Sequence, residues 1–260
     1  FVTRQRLAPV YLRRTQSDVL TELPEREEMC DWVQLSGVDR QAYDACPPHP
    51  MQKRLAATVA GGTLDAPKYV RLRELLATYR EEGRKVVVFS TFLQVLDDVC
   101  AIADGCEQIN GSVSASSRQG IIDAFSQTDG YAVVASQIDA GGLGINLQAA
   151  QVVILMEPQY KPSTENQAIA RVHRMGQTRR VLVHRLLAKD TIEEDLLELL
   201  AQKAELFEHY AHHSSVKEAS AMATDGSVVN MERELRKILE CASDPLNSTG
   251  IPGSPESGGQ

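Results

Sequence analysis

Residues 85–91, Lys-Val-Val-Val-Phe-Ser-Thr, are the stretch of sequence that decides the fold. The centre of this stretch, Val86–Phe89, is apolar at every position, and Phe92–Ala103 after it has the apolar spacing of an amphipathic helix. A short strand without polar alternation is typical of a parallel sheet, because helices cover both of its faces. The stretch therefore predicts one strand and one helix of a layered α/β fold.

The same alternation of strands and helices continues along the chain. Further strands are predicted at Glu107–Ile109, Tyr131–Ala135, Val152–Met156 and Val181–Leu187. Helices are predicted at Ser117–Ser126, Ser163–Arg174 and Thr191–His209. Thr191 and Glu194 have the spacing of a capping box at the start of the last helix. We therefore expect an α/β fold in which a parallel sheet is flanked by helices.

The chain divides by composition into four parts. Residues 1–84 are predicted to form an arginine-rich linker or brace and a helical segment, with a strand at Met29–Leu35 and a helix at Lys68–Glu82. Residues 85–190 hold the core of strands and helices, and residues 191–240 hold C-terminal helices. Residues 241–260 are rich in Ser, Gly and Pro, which predicts a flexible tail.

The composition excludes several classes of protein. Hydrophobic residues make up 43% of the chain and charged residues 24%, as in ordinary globular proteins, and no apolar run is long enough to span a membrane. The five cysteines are scattered without a Cys-x-x-Cys pair, which argues against a metal site, a disulfide framework or a redox enzyme and indicates a reducing cytoplasm. The formal net charge of −8 disfavours DNA binding. Residues 161–189, however, carry a basic cluster in which Glu165 is the acidic member, so the total charge does not exclude DNA binding.

Two loops that follow predicted strands have unusual content. Because ligands gather at the carboxyl ends of parallel strands, these loops are candidate binding sites. Ser90 and Thr91 offer two hydroxyls that could bind a phosphate or simply cap the next helix. Residues 136–146 contain three closely spaced glycines that allow a close backbone approach, although tight turns use the same residues. Their spacing differs from the Gly-x-Gly-x-x-Gly fingerprint of dinucleotide sites.

A third candidate is the segment Gln167–Gln177, which contains Arg171 and Arg174. On the predicted helix these arginines are three residues apart and share one face. Two neighbouring guanidinium groups can clamp the charge that develops on a transferred phosphoryl group. A solvated basic face would have the same pattern, so the residues alone leave both interpretations open.

Five segments, taken in order and spacing, carry a family resemblance. They are Leu12–Val19 with Leu23-Pro24, Lys85–Ser90, Ile109–Ser112 with Arg118-Gln119, Ala140–Leu147, and Gln167–Gln177. Together they resemble the C-terminal lobe of the Swi/Snf-type DNA translocases of helicase superfamily two. The likeness extends from about Leu12 to about Phe207, and the last two motifs are very specific.

The resemblance implies a RecA-like lobe that moves along double-stranded DNA as ATP is hydrolysed. It implies that Arg171 and Arg174 are arginine fingers, and that Gln167 and His173 orient their segment. The remaining implied sites are the ATP cleft at Gly142, Gly144 and Asn146, the interlobe residues Arg13 and Arg14, and the DNA contacts Ser90, Thr91, Gly111, Ser112, Ser136, Tyr160 and Lys161.

Two departures from the family pattern are visible. Ala170 stands where the family usually has an acidic residue before the first finger, so one local ion pair is missing. Tyr160-Lys161-Pro162 replaces a tryptophan near Asn-Pro, which assigns that DNA contact to the tyrosine. The variant resembles bacterial members most, and we therefore expect a cytoplasmic, nucleoid-associated protein.

The sequence contains neither a Gly-x-x-x-x-Gly-Lys-Ser/Thr phosphate loop nor an Asp-Glu magnesium motif after a strand. We therefore expect a fragment of a longer protein, inactive alone, whose missing N-terminal lobe holds ATP with Mg²⁺. Its expected partners are double-stranded DNA and that lobe. We expect neither membrane association nor oligomer formation. The alternatives are a non-catalytic nucleic-acid-binding module and the second lobe of an RNA helicase; the intact arginines disfavour the first and the glycine motif the second.

Overall fold

The computed structural model describes residues 26–139, 145–174, 177, 179–213 and 228–242. The strands are β1 (Arg26–Gln34), β2 (Lys85–Ser90), β3 (Glu107–Ile109), β4 (Ala132–Gln137), β5 (Val152–Leu155) and β6 (Val181–Lys189). The helices are α1 (Gly37–Ala45), α2 (Pro50–Val59), α3 (Pro67–Glu81), α4 (Leu93–Ile102), α5 (Ala115–Gln127), α6 (Pro162–Ile169), α7 (Ile192–His213) and α8 (Val228–Ala242).

Within the described residues, the strands form one parallel sheet with the order β1-β6-β5-β2-β4-β3. The central strand is β2, where Val87 pairs with Val134 of β4 on one side and Val153 of β5 on the other. The predicted α/β fold with a parallel sheet flanked by helices is therefore confirmed.

Both faces of the sheet are buried, as the all-apolar strands predict. Val86 and Val88 pack on one face in a cluster with α3 and α4, whereas Val87 and Phe89 pack on the other face with Phe125 of α5. Alternate side chains of a strand point to opposite faces, so a strand between two helical layers must be apolar at every position. This double burial gives the fold its core.

The first strand of the sheet lies in the segment predicted as a brace. The strand predicted at Met29–Leu35 is present as β1, and it pairs with β6 along its whole length. The predicted boundary at residue 84 therefore cuts through one sheet. Residues 1–25 and 243–260, which include Arg13, Arg14 and most of the predicted tail, lie outside the described residues.

Hydroxyl side chains accept backbone amides at the starts of α5 and α7, and the predicted capping box at α7 differs in one hydrogen bond. The Ser114 hydroxyl accepts the Ser117 amide at 3.1 Å and caps α5. Thr191 Oγ1 accepts the Glu193 amide at 3.3 Å, but the Glu194 carboxylate accepts the Asp190 amide at 2.9 Å rather than that of Thr191. In the capping box at α7, Glu194 therefore binds the amide one residue before the predicted one.

A buried ion pair joins the N-terminal helices to the start of α7. The Lys68 ammonium on α3 lies 2.6 Å from Glu193 Oε1, and both side chains are 0% exposed. It also donates to the carbonyl of Met156 at 2.8 Å, directly after β5, and to Thr58 Oγ1 at 3.4 Å on α2. The other Glu193 oxygen accepts the Ala188 amide at 2.8 Å. Burial lowers the pKa of Lys68, so the carboxylate and these acceptors are needed to hold its charge.

We predict that Glu193→Gln lowers the free energy of unfolding by about 3 to 5 kcal/mol, because it leaves a buried ammonium without its counter-charge. Urea denaturation followed by circular dichroism measures the change. The control is Glu198→Gln, the same substitution at an exposed position of α7, with an expected change within about 0.5 kcal/mol. Equal losses in the two variants would contradict the assigned role of the pair.

Candidate functional site at the carboxyl edge of the sheet

The loops that follow β2, β3, β4 and β5 meet at one edge of the sheet. The Ile138 amide donates to the Ser90 carbonyl at 3.0 Å, and the Met156 amide donates to the Phe89 carbonyl at 3.0 Å. The Gly111 amide donates to the Gln137 side chain at 3.3 Å and so links the loop after β3 to the end of β4. The structure therefore brings together the segments that the sequence predicts to carry the site.

Two predicted DNA contacts are buried and need correction. Ser90 and Ser136 are both 0% exposed. The Ser90 hydroxyl donates to Glu157 Oε2 at 2.9 Å and accepts the Phe92 amide at 3.0 Å, so its hydrogen bonds are directed into the protein. Neither hydroxyl reaches the surface where a DNA phosphate would lie.

Tyr160 needs the same correction, because only 8% of it is exposed. Its ring packs with Ile192 and Leu196 of α7, and the Arg54 guanidinium lies 4.3 Å from the ring centroid. The tyrosine that replaces the expected tryptophan therefore joins an apolar cluster formed by α2, α7 and α8. Its neighbour Lys161 is exposed at the start of α6.

The other predicted DNA contacts are accessible. Gly111 and Ser112 are exposed, and the Ser112 amide and hydroxyl both donate to Asn110 Oδ1, at 2.9 and 2.6 Å. Thr91 is half-buried, and its hydroxyl donates to Gln159 Oε1 at 2.9 Å. For these residues and Lys161 the role in DNA binding stays a prediction.

Glu157 is a structural centre of this edge that the sequence analysis missed. Its carboxylate accepts the Thr91 amide at 2.6 Å, the Ser90 hydroxyl at 2.9 Å and the Gln159 side-chain amide at 3.2 Å. Burial raises the pKa of Glu157, and the positive charge of Arg54 opposes that rise. A glutamate directly after an all-apolar strand was the signal available in the sequence.

The arginine segment lies beyond a helix rather than on it. The predicted helix Ser163–Arg174 ends at Ile169, because the Arg171 carbonyl accepts the Leu147 amide at 3.0 Å and the following residues form turns. The prediction that Arg171 and Arg174 share a helix face is therefore wrong. The segment is instead held by backbone contact with the loop before β5.

Arg171 and Arg174 differ in environment. Arg171 is partly buried, donates through Nη2 to the Ile138 carbonyl at 3.3 Å, and has a buried Nη1 for which the described residues supply no hydrogen-bond partner. Burial lowers its pKa. Arg174 is exposed. A buried guanidinium edge without a partner beside an exposed arginine is a suitable arrangement for an anion.

The other residues predicted for the ATP side of the site are placed as follows. Gln167 is exposed on α6, and His173 is half-buried between the two arginines in sequence. Asn146 is exposed, and its Oδ1 accepts the Gln148 amide at 3.2 Å. Gly142 and Gly144 lie outside the described residues. Their predicted roles stay predictions.

Gln177 fixes the arginine segment at its far end. Its side-chain amide donates to the carbonyls of Ala150 at 2.9 Å and Gln148 at 3.1 Å, and its oxygen accepts the Arg179 amide at 3.1 Å. Both the nitrogen and the oxygen of this buried side-chain amide are therefore hydrogen-bonded within the protein. The glutamine that ends the Arg-x-His-Arg-x-Gly-Gln motif has a structural role that its sequence position does not reveal.

Across the described parts of the chain, no group of three or more His, Cys, Asp or Glu side chains could hold a metal ion. The same residues contain no helix of the length and apolarity needed to cross a membrane. Among the acidic side chains at the carboxyl edge, Glu157 is occupied by hydrogen bonds within the protein, whereas Asp139 after β4 is exposed.

A parallel sheet covered by helices on both faces, with its polar loops at the carboxyl edge, defines a RecA-like α/β lobe. Residues 67–176 match the family described as Helicase conserved C-terminal domain. The crystal structure of the C-terminal part of the Fun30 ATPase domain has a TM-score of 0.66 at 19% identity, covering 84% of this chain and 97% of that one. The Sulfolobus solfataricus SWI2/SNF2 ATPase core in complex with dsDNA has a TM-score of 0.61 at 24% identity, covering 92% and 56%.

The chain therefore contains a helicase C-terminal domain with the fold of SWI2/SNF2 ATPase lobes. It is also 31% identical over 229 residues to an uncharacterized ATP-dependent helicase of Mycoplasma pneumoniae, an alignment that covers 78% of this chain. The aligned part is 22% of that relative's length. A bacterial origin and a place in the nucleoid stay predictions.

We predict that Gln177→Ala lowers the free energy of unfolding by about 1 to 3 kcal/mol, because it leaves buried carbonyls without donors. Urea denaturation measures the loss. The control is Gln119→Ala on the exposed face of α5, where the lost contact is a surface hydrogen bond to Asp123 and the expected change is within about 0.5 kcal/mol. A Gln177→Ala chain as stable as the control would show that this glutamine does not anchor the segment.

Proposed function

We propose that the chain is the second motor lobe of an ATP-dependent translocase that is stimulated by double-stranded DNA. The observation that carries the proposal is the buried Arg171 Nη1, which lies at the carboxyl edge of a RecA-like sheet and has no hydrogen-bond partner among the residues that the structure describes. The family match and the likeness to a SWI2/SNF2 core in complex with dsDNA support this assignment. ATP with Mg²⁺ would be held mainly by an N-terminal RecA-like lobe, and this chain alone would not hydrolyse it.

The proposed role of Arg171 and Arg174 is that of arginine fingers. An anion at the cleft would give Arg171 Nη1 a partner that the described part of the chain does not supply, and Arg174 is exposed and can reach outward. Guanidinium groups that stabilise the charge developing on a phosphoryl group raise the rate of transfer by about a thousandfold or more. The contacts of Leu147 and Gln177 hold the segment so that little rearrangement is needed.

The proposed DNA surface consists of the exposed groups at the same edge. The exposed turn at Gly111 and Ser112 allows a close backbone approach to a phosphate, and Lys161 supplies a positive charge. The formal net charge of −8 means that this local surface, rather than the whole lobe, must provide the attraction. Half of the groove would belong to the other lobe, so binding by this chain alone is expected to be weak.

The finger assignment predicts that Arg174→Ala, in a protein that joins this chain to its N-terminal lobe, lowers DNA-stimulated kcat about a thousandfold. The measurement is phosphate release with saturating duplex DNA. The control is Arg80→Ala, an exposed arginine that pairs with Asp104 near the opposite edge of the sheet, where we expect kcat unchanged. Equal rates for the parent and Arg174→Ala would reject the assignment, and equal stimulation by duplex RNA would favour the RNA-helicase alternative.

The DNA-surface assignment predicts that the affinity of the isolated chain for duplex DNA falls steeply as salt rises from 50 to 200 mM, by at least tenfold. Lys161→Ala should reduce the slope of log K against log salt by about 1, whereas Arg84→Ala, before β2 at the opposite edge, should leave it unchanged. Fluorescence anisotropy with a labelled duplex measures both quantities. An affinity that does not depend on salt would contradict a phosphate-binding surface.

A further inference from the structure

A pair of thiols lies close together away from the candidate site. The sulfur atoms of Cys100, in the last turn of α4, and Cys106, directly before β3, are 3.2 Å apart. Both cysteines are free and partly exposed. The two residues are separated by five others in sequence, so the spacing gave no sign of a pair.

The turn between α4 and β3 produces this approach. The Cys106 amide donates to the Ala103 carbonyl at 3.1 Å, and Gly105 adopts the left-handed conformation with φ at 70°. Glycine adopts that conformation without steric cost. Both cysteines pack against the same core cluster as the buried Val99 and Ala103, so the backbone that carries the sulfurs is held on the apolar side.

We propose that Cys100 and Cys106 are a site of reversible disulfide formation by low-molecular-weight disulfides such as oxidised glutathione. The Cys100 thiolate attacks one sulfur of the oxidant, whose sulfur–sulfur bond breaks and releases a first glutathione thiolate. The Cys106 thiol then loses its proton to solvent and attacks the Cys100 sulfur. The second glutathione thiolate leaves, so two protein thiols are oxidised and one glutathione disulfide is reduced.

The environment of the pair fits this order of attack. The hydrogen bond with Cys106 lowers the pKa of the Cys100 thiol, and the same hydrogen bond raises the pKa of Cys106. A thiol with a lowered pKa is the better first nucleophile, because the thiolate is the reactive form. The closed disulfide would link the end of α4 to β3 and the exposed turn at Gly111 and Ser112 that follows it. This modification is independent of the function proposed above.

The test uses the whole chain with Cys30, Cys46 and Cys241 changed to Ser. Cys100 and Cys106 are then the two remaining cysteines of the sequence. The protein is incubated with oxidised glutathione, and its free thiols are then blocked with a maleimide. The intact mass of the protein is measured by mass spectrometry. We expect the loss of two hydrogens, protection of both thiols from the maleimide, and reversal by dithiothreitol. The melting temperature should rise by about 4 °C on oxidation, because the crosslink reduces the conformational entropy of the unfolded chain; the rise is small because the closed loop is short.

The single variants Cys100→Ser and Cys106→Ser in this background should instead retain one glutathione each, because no second thiol can displace it. In the parent chain, Cys30 serves as the control for exposure, since it is the exposed free cysteine among those described. Two glutathiones on the two-cysteine protein would overturn the proposal. So would a parent chain that oxidises at Cys30 while Cys100 and Cys106 stay open to the maleimide.

Discussion

The buried ammonium of Lys68 constrains the rest of the structure, because a charge without access to water must find its partners within the protein. Its partners come from three other elements: Thr58 on α2, Met156 after β5 and Glu193 on α7. These elements are far apart in sequence, yet they must meet around one nitrogen atom. The arrangement therefore fixes how the N-terminal and C-terminal helices pack at the carboxyl edge of the sheet.

The same edge carries the candidate site, and a second buried charge organises it. Glu157 follows Met156 directly and binds the Ser90 hydroxyl and the Thr91 amide, so the loop after the central strand is tied to the end of β5. Arg54 donates to the Pro158 carbonyl at 2.5 Å and packs on the Tyr160 ring. Hydroxyls that could have bound a phosphate are thereby used to build the edge. The groups left for a ligand include the two arginines and the exposed Lys161.

The sequence was sufficient for the sheet but only partly for the site. Val86–Phe89 is predicted correctly because an all-apolar strand has one stable environment, between two helical layers. The prediction that a helix extends to Arg174 is wrong because periodicity cannot show that the Leu147 amide, from a distant loop, donates to the Arg171 carbonyl. The DNA contacts that the family resemblance implies for Ser90 and Tyr160 are corrected because Glu157 and α7 bury these side chains, and neither contact is visible from local sequence.

In the function proposed for this chain, the segment around Arg171 and Arg174 completes an ATP site on another lobe. The most direct measurement is a structure of this chain joined to its N-terminal lobe, with duplex DNA, Mg²⁺ and a transition-state analogue of ATP hydrolysis. We expect a guanidinium nitrogen of Arg171 or Arg174 within about 3 Å of the analogue's phosphoryl-like oxygens or fluorines. An analogue held entirely by the first lobe, with both arginines turned away from it, would show that these arginines are not fingers.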